Sequence, residues 1–121
     1  MRYTLAAAAG LLGLLAAGCE RREATTPPLD ANRYYAVQLS TGGVFFGKLQ
    51  GLGAPYPVLT DIYYVQTETD AATKKSAPVL VKRGREWHAP DRMYLNDKAI
   101  VLVEPVGPDS QVARLIANSK R

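Results

Sequence analysis

The sequence predicts an all-β protein: a small open barrel of five short strands with a short C-terminal helix, behind a signal peptide and a flexible tether. Three observations carry that expectation. Residues 34–49 (YYAVQLSTGGVFFGKL) alternate apolar and polar side chains on either side of a Gly-rich turn. Residues 58–66, 78–82 and 99–104 are short β-branched or aromatic runs separated by turn residues. A helical stripe shows near the C-terminus, where Val112, Leu115 and Ile116 share one side behind a capping Asp109 or Ser110.

The chain begins with a targeting pattern. Arg2 supplies a short positive region, residues 5–17 (LAAAAGLLGLLAA) are apolar and uncharged, and Ala16-Ala17-Gly18-Cys19 ends the run with small residues. Thirteen residues rise about 20 Å as a helix, too little for a hydrocarbon core about 30 Å thick. Leu15-Ala16-Ala17-Gly18-Cys19 resembles the lipobox of bacterial lipoprotein signal peptides, with Ala16 where Leu is commoner. The resemblance implies that residues 1–18 are removed, that Cys19 carries diacylglycerol and often a further acyl chain such as palmitate, and that the protein is held at the extracytoplasmic side of a bacterial membrane. Two or three acyl chains exceed the one-chain threshold for reversible attachment. Cys19 is the single cysteine, so its lipidation would leave no thiol for a disulfide, a zinc site or a nucleophile.

Losing residues 1–18 also removes Arg2, leaving fourteen basic against eleven acidic side chains on the remaining chain. That surplus is mild and scattered, which suits solubility better than nucleic-acid binding. Residues 20–33 (ERREATTPPLDANR) are polar, contain Pro27-Pro28 and lack an apolar period, so residues 19–33 are expected to be the lipidated cysteine and its tether. Residues 34–121 then form one domain with one core.

Within that domain, a Thr41-Gly42-Gly43 loop would place Leu39 opposite Phe45, Val37 opposite Gly47 and Tyr35 opposite Leu49, with all six on one face. Residues 50–57 form a Gly/Pro turn. The run at 58–66 offers two inner faces, Val58, Thr60, Ile62, Tyr64 or Leu59, Tyr63, Val65. Residues 67–76 are a polar excursion before the strand at 78–82, Gly84 and Pro90 punctuate the next stretch, and Asn96-Asp97 suits a tight turn before the last strand. The apolar stripe of the C-terminal helix is expected to cover one open end of the barrel.

Leu39-x-x-Gly42-x-x-x-x-Gly47-x-Leu49 resembles the first signature of the Sm and Sm-like family, and residues 95–105 (LNDKAIVLVEP) resemble a degraded second one. The resemblance implies an Sm-like or SH3-like small barrel, with Gly47 placed where strand two bends and a side chain would crowd the interior. The family's RNA site does not carry over: Gly53 and Pro57 stand where its Asp and Asn bind bases, and Asn96-Asp97 where it has Arg-Gly. The domain is also similar to small uncharacterised bacterial proteins carrying Ala-Val-x-Leu, Phe-Gly-Lys-Leu, Leu-Thr-Asp-Ile-Tyr-Tyr and Met-Tyr-Leu-Asn.

Chemistry-bearing residues are few. His88 is the single histidine, which excludes a multi-histidine metal site within one chain, and no cofactor or metal is expected. If residues 86–88 were extended, Glu86 and His88 would share a side and Asp91 would approach after Pro90, as in a small hydrolase. Tyr34, Phe46, Tyr56, Trp87 and His88 are the candidate binding surface. The expected function is a non-enzymatic, lipid-anchored binding or scaffold module of the cell envelope. It touches the membrane through Cys19 and meets an envelope protein or glycan. A nucleic-acid-binding ring and a hydrolase using His88 are the alternatives. Charge and proline at the ends of the edge strands predict a monomer.

Overall fold

The computed structural model of the chain describes Gly18 and residues 26–121. The expected signal peptide up to residue 17, Cys19 and residues 20–25 of the expected tether lie outside the described residues. The elements in order are β1 (Tyr35–Leu39), β2 (Val44–Gln50), β3 (Val58–Thr69), β4 (Ser76–Lys82), β5 (Arg92–Tyr94), a 3-10 turn (Asp97–Ala99), β6 (Ile100–Pro105) and α1 (Gln111–Ser119). All the strands are antiparallel, in the order β4-β3-β2-β1-β6 with β5 also on β3. This is a small, open, barrel-like all-β fold with one short C-terminal helix.

Six strands stand where five were expected, and the pairing explains the extra one. β2 occupies one edge of β3, while β4 pairs with residues 63–69 and β5 with residues 58–60 on the other. β4 and β5 are thus one strand position interrupted by residues 83–91. That excursion leaves and returns where β3 is itself irregular.

The hairpin differs from the expected register by two residues. Gly42 takes a φ of +90°, the left-handed position that closes a three-residue loop, and this makes the loop Ser40-Thr41-Gly42. The Leu39 N–H donates to the Gly43 carbonyl at 2.8 Å, and Val37 pairs with Phe45 and Tyr35 with Gly47. Because the slip is even, the same six side chains still share a face.

That face builds the core from Tyr35, Val37, Leu49, Leu59, Ile62 and Leu95, with Leu29, Leu39, Phe45, Leu52, Met93, Ile100 and Val103 packed around it. Gly47 is buried in the middle: a Cβ there would lie 2.7 Å from the Thr60 carbonyl oxygen and 2.8 Å from Leu59 Cγ. The crowding is steric.

Each of the two inner faces proposed for β3 holds on one side of a bulge only: Leu59 of the second face before it, Ile62 of the first after it, while Val65 is exposed. Lys48 pairs with Thr60 and Phe46 with Tyr63, so Asp61 and Ile62 together oppose Gly47 in a β-bulge. Leu59 faces the core before the bulge and Ile62 faces it afterwards, which turns Tyr63 to the opposite side.

Two expectations about the chain ends change. Ser110 caps α1, accepting from the Ala113 N–H at 3.1 Å. Rather than closing an end of the barrel, the helix lies on the outer face of the sheet, where Tyr63 is 1 % exposed and its hydroxyl meets Ser119 Oγ at 3.3 Å. At the other terminus, the fold begins before residue 34. Leu29 packs against the core, the Asp30 N–H donates to the Tyr35 hydroxyl at 2.8 Å, and Arg33 Nε donates to the Val106 carbonyl at 3.3 Å. Apolar packing and hydrogen bonds together dock this end of the expected tether.

Candidate functional site

The bulge in β3 creates the first of two polar clusters. Asp61 holds a φ of +50°, an uncommon conformation that Asp tolerates better than most residues, and its carboxylate reaches the outer face. The Tyr34 hydroxyl donates to Asp61 Oδ2, and Lys120 Nζ donates to the same oxygen and to the Tyr34 hydroxyl, both at 2.7 Å. Lys82 Nζ stands 3.5 Å from Asp61 Oδ1. Lys120 is the residue that ends α1, so this cluster fastens the helix to β3.

Aromatic faces complete it. Tyr34 and Tyr63 meet edge-on with centroids 6.4 Å apart. The ammonium groups of Lys48 and Lys120 lie 5.6 and 5.4 Å from the Tyr34 ring centre, and that of Lys82 lies 5.8 Å from the Tyr63 ring centre.

The three titrating groups are held in the forms they have at neutral pH. Burial pushes the Asp61 carboxyl upward, but the hydrogen bonds from Lys120 and Tyr34 and the charges of Lys120 and Lys82 outweigh it and hold it below the usual carboxylate range. The Tyr34 hydroxyl is raised by burial and by its hydrogen bond to Asp61. Lys120 is raised, chiefly by its hydrogen bonds to Asp61 and Tyr34. None of the three is poised to pass a proton near neutrality.

The second cluster is the excursion at residues 83–91. Residues 86–89 form a turn in which the Ala89 N–H donates to the Glu86 carbonyl at 2.8 Å. The Glu86 carboxylate accepts from the Gly84 N–H at 2.8 Å and from Arg83 Nε at 3.1 Å, and the Gly84 hydrogen bond leads the effects that hold its carboxyl low. Arg83 is anchored in turn. Its N–H donates to the Ile62 carbonyl at 2.8 Å, and its guanidinium reaches Met93 Sδ at 3.5 Å and lies 5.9 Å from the Phe45 ring centre. Arg83, Gly84 and Glu86 at the base of the turn are all engaged, and the Trp87 side chain at its corner is fully exposed.

The structure distributes the candidate residues over three places. Trp87 and the exposed His88 sit together at the corner of the turn. Tyr34 belongs to the Asp61 cluster, and Phe46 lies on the same outer face, paired across the strands with Tyr63. Tyr56 is exposed in the loop between β2 and β3. The Glu86–His88–Asp91 arrangement is not assembled as expected: residues 86–88 turn instead of extending, Glu86 is spent on Gly84 and Arg83, and Asp91 pairs with Arg92 at 3.1 Å.

Sequence reasoning missed Asp61, Lys48, Lys82 and Lys120. The available signal was Asp61 itself, a single acid inside the β-branched and aromatic run VLTDIYYV whose two faces both looked apolar. No protein-family model matches this chain, and no curated protein matches it either.

Proposed function

We propose that this protein is a lipid-anchored, extracytoplasmic binding module of the bacterial cell envelope, and that it works by presenting a surface rather than by catalysing a reaction. The observation that carries the binding reading is Trp87, fully exposed on a turn whose base is fixed through Glu86, Arg83 and the β3 backbone. Exposed indole is costly to keep in water, and a fixed turn loses little conformational freedom on contact, the property of an anchor residue at an interface. The lipobox residues 15–19 support the address. The engagement of Glu86 with Gly84 and Arg83, and of Asp91 with Arg92, supports the non-enzymatic part, since both carboxylates are spent on other partners than His88.

Cys19→Ser tests the address. Intact-mass measurement of the wild-type protein should show a chain that begins at Cys19 and carries acyl groups. The variant should lack that mass and accumulate unprocessed. An unmodified wild-type mass would refute the anchor.

A further inference from the structure

The domain lies close to whatever holds Cys19. From Cys19 to Thr26 there are seven peptide steps, which reach at most about 25 Å when fully extended. The folded residues 26–121 make a body about 30 Å across by the usual scaling of compact chains. The described chain is already seated on the domain at its start, because a Cβ on Gly53 would lie 2.6 Å from Thr26 Oγ1. A link of this length keeps the start of the domain within about 25 Å of the surface that holds Cys19, close enough for an exposed part of the domain to touch the lipid head groups.

The excursion at 83–91 has the chemistry for such a contact. Arg83 is neutralised by Glu86 and Arg92 by Asp91. Arg85 has no ion-pair partner among the described residues, and Lys82 is half exposed with one contact to Asp61 at 3.5 Å. Arg85 is thus an exposed cation two residues before the exposed tryptophan, and Lys82, whose ammonium is shared with Asp61, remains half exposed where the excursion begins. Indole has an apolar body and a polar N–H and concentrates at the boundary between head groups and acyl chains, while basic side chains beside it are attracted to anionic lipid.

We propose that the turn carrying Trp87 docks on an anionic phospholipid surface, with Trp87 in the interfacial layer and Arg85 and Lys82 against the head groups. This rests on the reading of Cys19 as the lipid anchor and adds a second, orienting contact to it. The acyl chains fix where the protein is, and the Trp87 turn fixes which way it faces.

Trp87 is the single tryptophan of the chain, so its fluorescence reports the contact directly. The mature protein, purified from membranes and checked for acyl mass, would be reconstituted into vesicles of phosphatidylcholine with or without phosphatidylglycerol, each also prepared with brominated acyl chains. The expected result is a blue-shifted emission that brominated lipid quenches in the anionic vesicles and less so in the neutral ones. Arg85→Glu, which keeps the tryptophan and the acyl chains, should lower the seated fraction about fivefold or more while the protein stays on the vesicles. An acylated protein whose Trp87 keeps its aqueous emission and is not quenched overturns the docking alone. Equal quenching in neutral and anionic vesicles overturns the role of the cations. A protein without acyl mass overturns the anchor, and with it the reason for the domain to lie near the membrane.

Discussion

The Asp61 cluster and the Trp87 turn are neighbours on β3 built from the same kinds of residue, and they use them in opposite ways. In the first, Asp61, Tyr34, Lys120 and Lys82 satisfy one another, and the gain is the attachment of α1 to the sheet. In the second, Glu86 and Arg83 are consumed in fixing the base of a turn, and the largest side chain of the turn is left in water. One arrangement closes the fold on itself and the other holds a residue out of it. Perturbing the first should therefore cost stability, and perturbing the tip of the second should not.

The largest effect is expected beneath both clusters, at Gly47. This residue opposes the bulge that aims Asp61 outward, and any side chain there would strike the Thr60 carbonyl and Leu59. Gly47→Val should destabilise the domain by about 2 kcal/mol or more in a denaturant melt, through overpacking. A midpoint equal to wild type would mean that the two strands do not approach as closely as described.

Asp61→Ala is the next test. It removes the acceptor of two hydrogen bonds and leaves the Lys120 ammonium without its carboxylate, at a cost of about 1–2 kcal/mol for a partly buried site. The effect has a pH signature. The folded Asp61 carboxyl lies below its unfolded value of about 3.9, so its contribution is present above that pH and is lost as the pH falls through the folded value. Asp61→Asn should therefore lower stability at neutral pH and make the acid side of the stability profile shallower than in wild type. Parallel profiles would contradict an ionised Asp61 as the centre of the clamp.

The smallest stability effect is expected at Trp87. With its side chain fully exposed, Trp87→Ala should leave the denaturant midpoint within about 0.5 kcal/mol of wild type. A loss comparable to that of Asp61→Ala would show the indole packed on the domain, and the contrast between the two clusters would disappear.

How far the sequence could be read depended on the range of the interactions. Side-chain parity is local, so the six inward residues of the first hairpin were legible even though the register was two residues out. The choice between Thr41-Gly42-Gly43 and Ser40-Thr41-Gly42 as the loop depends on which residue takes positive φ, and composition does not decide it. The ambiguity at residues 58–66 was itself information, because a run with two apolar faces is what a bulged strand looks like before the bulge is located. The Asp61 clamp was not legible: its partners Tyr34 and Lys120 are 27 and 59 residues away, and only the folded chain brings them together. At the other cluster, Trp87 and His88 were visible as candidates. The role of Glu86 was misread because alternation assumed an extended chain between two punctuating residues, Gly84 and Pro90, that permit a turn.

The claim at the centre of this account is that Trp87 is held out by a turn as firmly fixed as the β-bulge beside it. Backbone order parameters of the mature protein, from amide relaxation, test that directly. They should be near 0.85 at Glu86, Trp87 and His88, matching Asp61 and Ile62, and should fall at those three residues in Glu86→Ala while the bulge is unaffected. Values below about 0.6 at Trp87 and His88 in the wild-type protein would show a flexible tip and contradict the claim.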